Sequence, residues 1–242
     1  MRSALLLALT LTLNVQTHAS GDLRHQIESA GSEWVGYTIP LAAGQHIEIC
    51  CSLYGDNVNV NTSDDALSDR ASILYRIRDG RIESIRVFTS CAIHAQVKWL
   101  EGVDPRASAE MLYAMAKENS SLSKRAVFAL GLHEAGIDPL IDLARHAEYS
   151  KLRSEALFWL AEFAARKAAG PLRDAVDNDP DEEVRAKAVF GIAQLPSDQS
   201  IPMLAELMRM HRSRAVRKKA AFWLGQKNDP RAVEAITDYL RQ

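Results

Sequence analysis

With 242 residues, 47% of them apolar, the chain is long enough to bury one large core or two small ones. Its 29 basic and 31 acidic residues argue against a generic nucleic-acid binder, which is basic overall or along one face. Nothing in the chain is apolar for the length of a membrane span.

The start reads as a secretory signal. Arg2 supplies the positive region, Ala4 to Leu13 is an uncharged apolar run, and Thr17-His18-Ala19 places small residues where a signal peptidase needs them. Cleavage after Ala19 is expected, leaving an exported protein, periplasmic or extracellular. Removing residues 1–19 takes away Arg2 and no acid, so 28 basic against 31 acidic residues give −3.

Residues 20–100 show the period of a sheet. Asp22 to Ser29 reads as a short helix, then Trp34 to Ile39 as a strand ending at Pro40. His46 to Leu53 alternates, with Ile47, Ile49, Cys51 and Leu53 on one face. Residues 55–70 carry turn chemistry and read as a loop. Ile73–Arg78 and Arg81–Phe88 flank Asp79-Gly80, a strong hairpin signal because a type I′ turn needs positive φ at both central residues. A small antiparallel sheet is predicted. Carrying the alternation on from Ile85 and Val87 puts Cys91 on the core side, the side Cys51 shares on its own strand, whereas Cys50 points the other way. A Cys51–Cys91 disulfide would close 39 intervening residues, worth about 4 kcal/mol in the chain-entropy model. Export permits it; Cys50 as the partner, or three reduced cysteines, are the other arrangements.

From residue 101 the period changes. Leu122-Ser-Lys-Arg-Ala-Val-Phe-Ala-Leu130, Leu152-Arg-Ser-Glu-Ala-Leu-Phe-Trp-Leu160, Val184-Arg-Ala-Lys-Ala-Val-Phe-Gly-Ile192 and Val216-Arg-Lys-Lys-Ala-Ala-Phe-Trp-Leu224 begin 30, 32 and 32 residues apart. Self-similarity at this period is the signature of a solenoid. In each phrase offsets 0, +4, +7 and +8 form one apolar stripe of a helix, A, with a small alanine at +4 for close approach. A second helix, B, follows, and in three repeats it is expected to open at its proline, Pro139, Pro171 or Pro202; the last comes after Asp229-Pro230. Asp104 to Lys117 reads as a lead-in helix.

Val184-Arg185-x-x-Ala188 and Val216-Arg217-x-x-Ala220, with Leu224-Gly225 and Asp229-Pro230-Arg231-Ala232, resemble HEAT repeats of the bacterial HEAT/PBS-lyase type. Trp34-Val-Gly-Tyr, Cys50-Cys51, Arg81 to Cys91 and Val97-x-Trp99-Leu-x-Gly102 are similar to a group of exported bacterial HEAT-repeat proteins to which no activity is attached. The resemblance implies an α-solenoid that binds partners along a concave face lined by the B helices. It also implies a polar ladder of the A-helix arginines, Arg153, Arg185 and Arg217, with an acid before the helix, clear here only at Asp179 or Asp181.

Several residues admit sharper readings. Trp159 and Trp223 at +7, with Gly191 between them, could be aromatic walls around a gap, but an aromatic at helical spacing is first a core residue. Phe128, Phe158, Phe190 and Phe222 at +6 fit packing between neighbouring A helices, or a docking row if exposed. His133-Glu134 is a single pair with no counterpart in later repeats, too few ligands for the iron site of a HEAT-repeat hydroxylase, and His133 with His146 makes no better metal site. Arg209 to Lys219 is the one dense basic stretch, either a patch for an acidic partner or a solvated helix end.

The fold class predicted is α+β: residues 1–19 a signal peptide, 20–100 a small antiparallel β domain, and 101–242 an α-solenoid of four helix pairs. The function predicted is a non-catalytic interaction module for a protein or peptide partner, with no cofactor, no nucleic acid and no membrane span. Candidate binding residues are Asp142, Arg145, Arg173, Asp174, Glu206, Arg209, Arg212 and Arg214, which mix both signs of charge. An enzyme or maturation factor with chemistry in the β domain is the alternative.

Overall fold

A computed structural model describes residues 20–42, 60–62, 69–89, 91–93 and 96–241. The signal segment, Cys50, Cys51 and the strand expected over 46–53 lie outside the described residues, as does the side chain of Cys91.

Helix α1 (Ser20–Glu28) leads into a four-stranded sheet of order β4-β3-β1-β6, formed by β1 (Trp34–Pro40), β3 (Arg70–Arg78), β4 (Arg81–Phe88) and β6 (Val97–Trp99). The β3–β4 hairpin turns at Asp79 (φ 51°) and Gly80 (φ 70°), the two positive angles its sequence demands. β1 pairs antiparallel with β3, and β6 extends the edge in parallel with β1. Gly36 gives the strands room there: a Cβ would sit tightly, 3.2 Å from the Ile73 carbonyl oxygen and from Leu74 and 3.3 Å from the Trp99 ring.

Two expectations change. Val60–Thr62, placed in a loop by its polar surroundings, forms β2, which pairs with β5 (Cys91–Ile93) in a separate two-stranded sheet. Because β4 ends at Phe88 and β5 belongs to another sheet, the alternation of Ile85 and Val87 does not run on to Cys91, and that parity argument for a disulfide lapses.

Among the described residues nine α-helices follow: α2 (Pro105–Lys117), α3 (Ser123–Gly131), α4 (Ile137–His146), α5 (Ser150–Phe163), α6 (Ala165–Asn178), α7 (Glu182–Gln194), α8 (Ser197–Met210), α9 (Arg214–Gly225) and α10 (Pro230–Leu240). α3, α5, α7 and α9 are the A helices, each paired with the B helix that follows, and α2 is the lead-in. The predicted stripe is the core: Ala126, Ala156, Ala188 and Ala220 are fully buried, as are Leu130, Leu160, Ile192 and Leu224. α10 opens at Pro230 with Asp229 as cap, and α2 at Pro105 with Asp104. Pro171 and Pro202, however, lie inside α6 and α8. Ala165-Arg-Lys-Ala-Ala and Ser197-Asp-Gln-Ser are competent to begin the helix a turn or more earlier, and each proline then omits one internal hydrogen bond.

Sheet and solenoid share one apolar core, continuous from Leu23 and Ile27 of α1 through Val35, Tyr37 and Ile85 to Leu224 and Ala232. A buried polar chain crosses the junction. Tyr37 Oη lies 2.7 Å from Tyr75 Oη and 2.6 Å from Ser108 Oγ on α2, and Ser108 Oγ lies 3.2 Å from His133 Nε2. Burial pushes the Tyr37 phenol up to about 12 and the His133 imidazole down to about 4.

Candidate interaction face

Each A helix from α5 onward grips the turn before it in the same way. Arg153 Nη1 donates to the carbonyls of Ala147 and Glu148, Arg185 Nη1 to those of Asp179 and Pro180, and Arg217 Nη1 to those of His211 and Arg212. These carbonyls close the preceding B helix, so the arginine ties B to A within the turn. Only Arg153 adds an acid of the next repeat, a two-bond contact to Asp179 at 2.7 and 2.9 Å. One repeat later His211 stands where Asp179 does, so the ladder stops, as the missing acid foretold.

The candidate residues on the B helices meet one another across repeats. Tyr113 of α2 donates to Asp142 of α4 at 2.5 Å. Arg145 of α4 lies 3.4 Å from Asp174 of α6. Arg173 of α6 donates to both oxygens of Glu206 on α8 at 2.9 and 3.0 Å and also holds Asp177 at 2.7 Å. The pair with Glu206 holds the Arg173 guanidinium above its ordinary range and the Glu206 carboxyl below its own. Arg209 reaches the Ala235 carbonyl of α10 at 3.3 Å, and Arg212 the Asp177 carbonyl at 2.6 Å. Arg214 stands apart, at the start of α9 on the A side. Each B helix is therefore tied to the next by a hydrogen bond or an ion pair, and three acids, Asp142, Asp174 and Glu206, face a donor or cation from an earlier helix.

Residues 137–214 match the family of HEAT repeats, and residues 216–242 match the PBS lyase HEAT-like repeat. Over those residues the solenoid is similar in sequence to HEAT repeats. A comparison with curated proteins finds no match.

The sharper readings of single residues resolve by position. A Cβ on Gly191 would lie 2.5 Å from Leu172 and 3.6 Å from Ala161, so core side chains fill the space between the two tryptophans. Trp159 packs on Phe128 of α3, the A helix before it (ring centroids 4.6 Å), and Trp223 on Phe190 (5.0 Å). His133 is buried against Ser108 while Glu134 is exposed and faces Lys167 at 3.5 Å, so that pair splits, and His146 lies exposed at the end of α4.

Sequence reasoning missed a groove of about 780 Å³ across the turns that begin α3, α5 and α7. Lys124, Tyr149, Lys151 and Asp181 line it. Positions 149, 181 and 213 are equivalent at the period of 32 residues. Asp181 caps α7 through the amides of Glu183 and Val184, and Ser213 caps α9 through that of Val216. Tyr149 caps nothing by its side chain and leaves its ring 42% exposed. An alignment of the three turns carries that signal. The groove shares Arg153 and Pro180 with a cavity of about 200 Å³ lined by Arg145 and Asp174. That cavity in turn shares Asn178 with one of about 270 Å³ lined by Arg173, Glu206 and Arg212. Five of the candidate residues thus border one run of concave surface.

Proposed function

We propose that this chain is an exported HEAT-repeat interaction module that binds an extended segment of a protein partner along the run of concavities from Tyr149 to Arg212. HEAT repeats in general mediate protein interactions, which supports an interaction role. The observation that carries the reading is continuity: three concavities, linked through Arg153, Pro180 and Asn178, cross the repeats from the α2–α3 turn to the end of α8. Tyr149 offers an aromatic anchor, and around it Lys124, Lys151 and Arg153 stand among Glu148, Glu155 and Asp181, charges of both signs that can fix the register of a bound segment. The paired charges further along give a surface of alternating sign that fixes register more than it attracts. Export rests on Arg2, the Ala4–Leu13 run and Thr17-His18-Ala19.

A photo-crosslinking side chain placed at Tyr149 or Arg173 in the producing cell should capture the same partner, and one at Phe222, on the A side, should not. Replacing Tyr149, Lys124 and Lys151 together by alanine should weaken that capture about tenfold or more. Capture at Phe222 alone, or capture indifferent to the triple change, would overturn the reading. Mass spectrometry of the mature protein should find Ser20 at its N-terminus.

A further inference from the structure

The last helix repeats the register of those before it. At the period of 32, Ile137, Ala169 and Ile201 correspond to Val233, Leu140, Leu172 and Leu204 to Ile236, and Ala144, Val176 and Met208 to Leu240. The earlier copies are no more than 5% exposed apart from the half-buried Ala169, whereas Val233 is 64% and Leu240 76% exposed. α10 packs on α8 and α9 through Ala232, Ala235 and Ile236, and its other side carries an uncovered apolar stripe of Val233 and Leu240, seven residues apart. Glu234 and Arg241, both exposed, are also seven residues apart. On a helix they fall on one flank of that stripe, with opposite charges about 10 Å apart along the axis.

We infer that the occupant of this stripe is a second copy of the chain, docked helix to helix with α10 antiparallel to its mate. A twofold axis perpendicular to two such helices keeps each flank on the same side and reverses its direction. Glu234 of one copy then meets Arg241 of the other, twice, while Val233 and Leu240 meet across the axis. A parallel pairing puts these flanks on opposite sides and forms neither ion pair. Head-to-tail stacking is closed because α1 packs on α2 and β4 on α3, so the opposite end of the array is already covered. An interface of one helix per copy is smaller than the about 1,200 Å² of stable complexes, so association is expected in the micromolar range. The inference does not depend on the partner groove, which lies on other helices.

Sedimentation equilibrium of the purified protein decides it. A monomer–dimer equilibrium is expected, weakened about tenfold or more by Glu234→Arg or by Arg241→Glu and restored when the two are combined. Leu240→Glu should abolish the dimer while leaving the circular-dichroism melting curve in place, since the side chain is exposed. A monomer at every concentration up to several hundred micromolar would overturn the proposal. So would a dimer that ignores both charge reversals, or single reversals that the double variant fails to rescue.

Discussion

Among the described residues the first and last helices of the array are covered differently. At the start, α1 and the sheet lie against α2 and α3, and Tyr37, Tyr75, Ser108 and His133 link the two parts through a buried hydrogen-bonded chain. At the far end, residues of the same register as core positions stand in the open. Leu240 is as apolar as Met208, yet one is 76% and the other 2% exposed. In a repeat protein, burial is a property of the neighbouring repeat more than of the residue. A covered end is therefore sensitive to changes of a single atom, and a bare end is tolerant of them.

The largest expected effect tests the covered end. A Cβ on Gly136 would lie 1.9 Å from the carbonyl oxygen of Leu130, a backbone atom that cannot swing aside. Gly136→Ala should cost more than about 4 kcal/mol by urea denaturation, or prevent folding. At Gly225, near the bare end, the nearest atom is a side-chain carbon of Ile236 at 4.0 Å. Gly225→Ala should be neutral or stabilise by up to about 1 kcal/mol. Equal losses at both glycines would erase the contrast.

His133 gives the same contrast a pH dependence. Its imidazole is held at about 4 by burial, against an ordinary 6.5, and its Nδ1 has no hydrogen-bond partner among the described residues. The folded protein keeps it neutral while the unfolded chain takes up a proton below 6.5. The neutral ring's contribution is therefore intact above pH 6.5 and is lost as pH falls towards 4. A shift of this size corresponds to about 3 kcal/mol of stability. His133→Gln should flatten that part of the pH profile even though it lowers stability at neutral pH. An unchanged slope would show that other groups carry the acid sensitivity.

A smaller effect is expected inside the array, where Arg153 alone of the A-helix arginines reaches the next repeat. Asp179→Ala should cost about 2 to 3 kcal/mol, since it strips two bonds from a guanidinium side chain only 10% exposed. Arg217→Ala removes only carbonyl contacts and should cost about 1 kcal/mol.

How far the sequence was legible follows the same division. The stripe, the alanines and the Asp79-Gly80 hairpin could be read because each is a local rule repeated or enforced by backbone geometry. The B-helix charges could be placed on their helices but not paired, because Arg145 to Asp174 and Arg173 to Glu206 join residues 29 and 33 apart across a packing angle that no local pattern encodes. Their separation, close to the period itself, was the available clue. The helix starts upstream of Pro171 and Pro202 were missed because tertiary packing tolerates a proline that propensity would place at a helix end. The turn groove was hidden because Tyr149 is informative only against Asp181 and Ser213, its equivalents.

The smallest expected effect is the sharpest test of the bare end. Leu240→Ala removes the same kind of side chain whose loss from a buried core position costs about 2 to 5 kcal/mol. With 76% of its surface exposed, Leu240 should give up no more than about 0.5 kcal/mol of monomer stability, measured at concentrations below self-association. Met208→Ala, one repeat earlier in the same column and 2% exposed, is the matched control and should fall in the larger range. The two residues differ in whether a further repeat lies against them, so the gap between the two losses measures what one neighbouring HEAT repeat contributes at that position. If Leu240→Ala costs as much as Met208→Ala, then something covers α10 in the monomer, and the open stripe on which self-association depends does not exist.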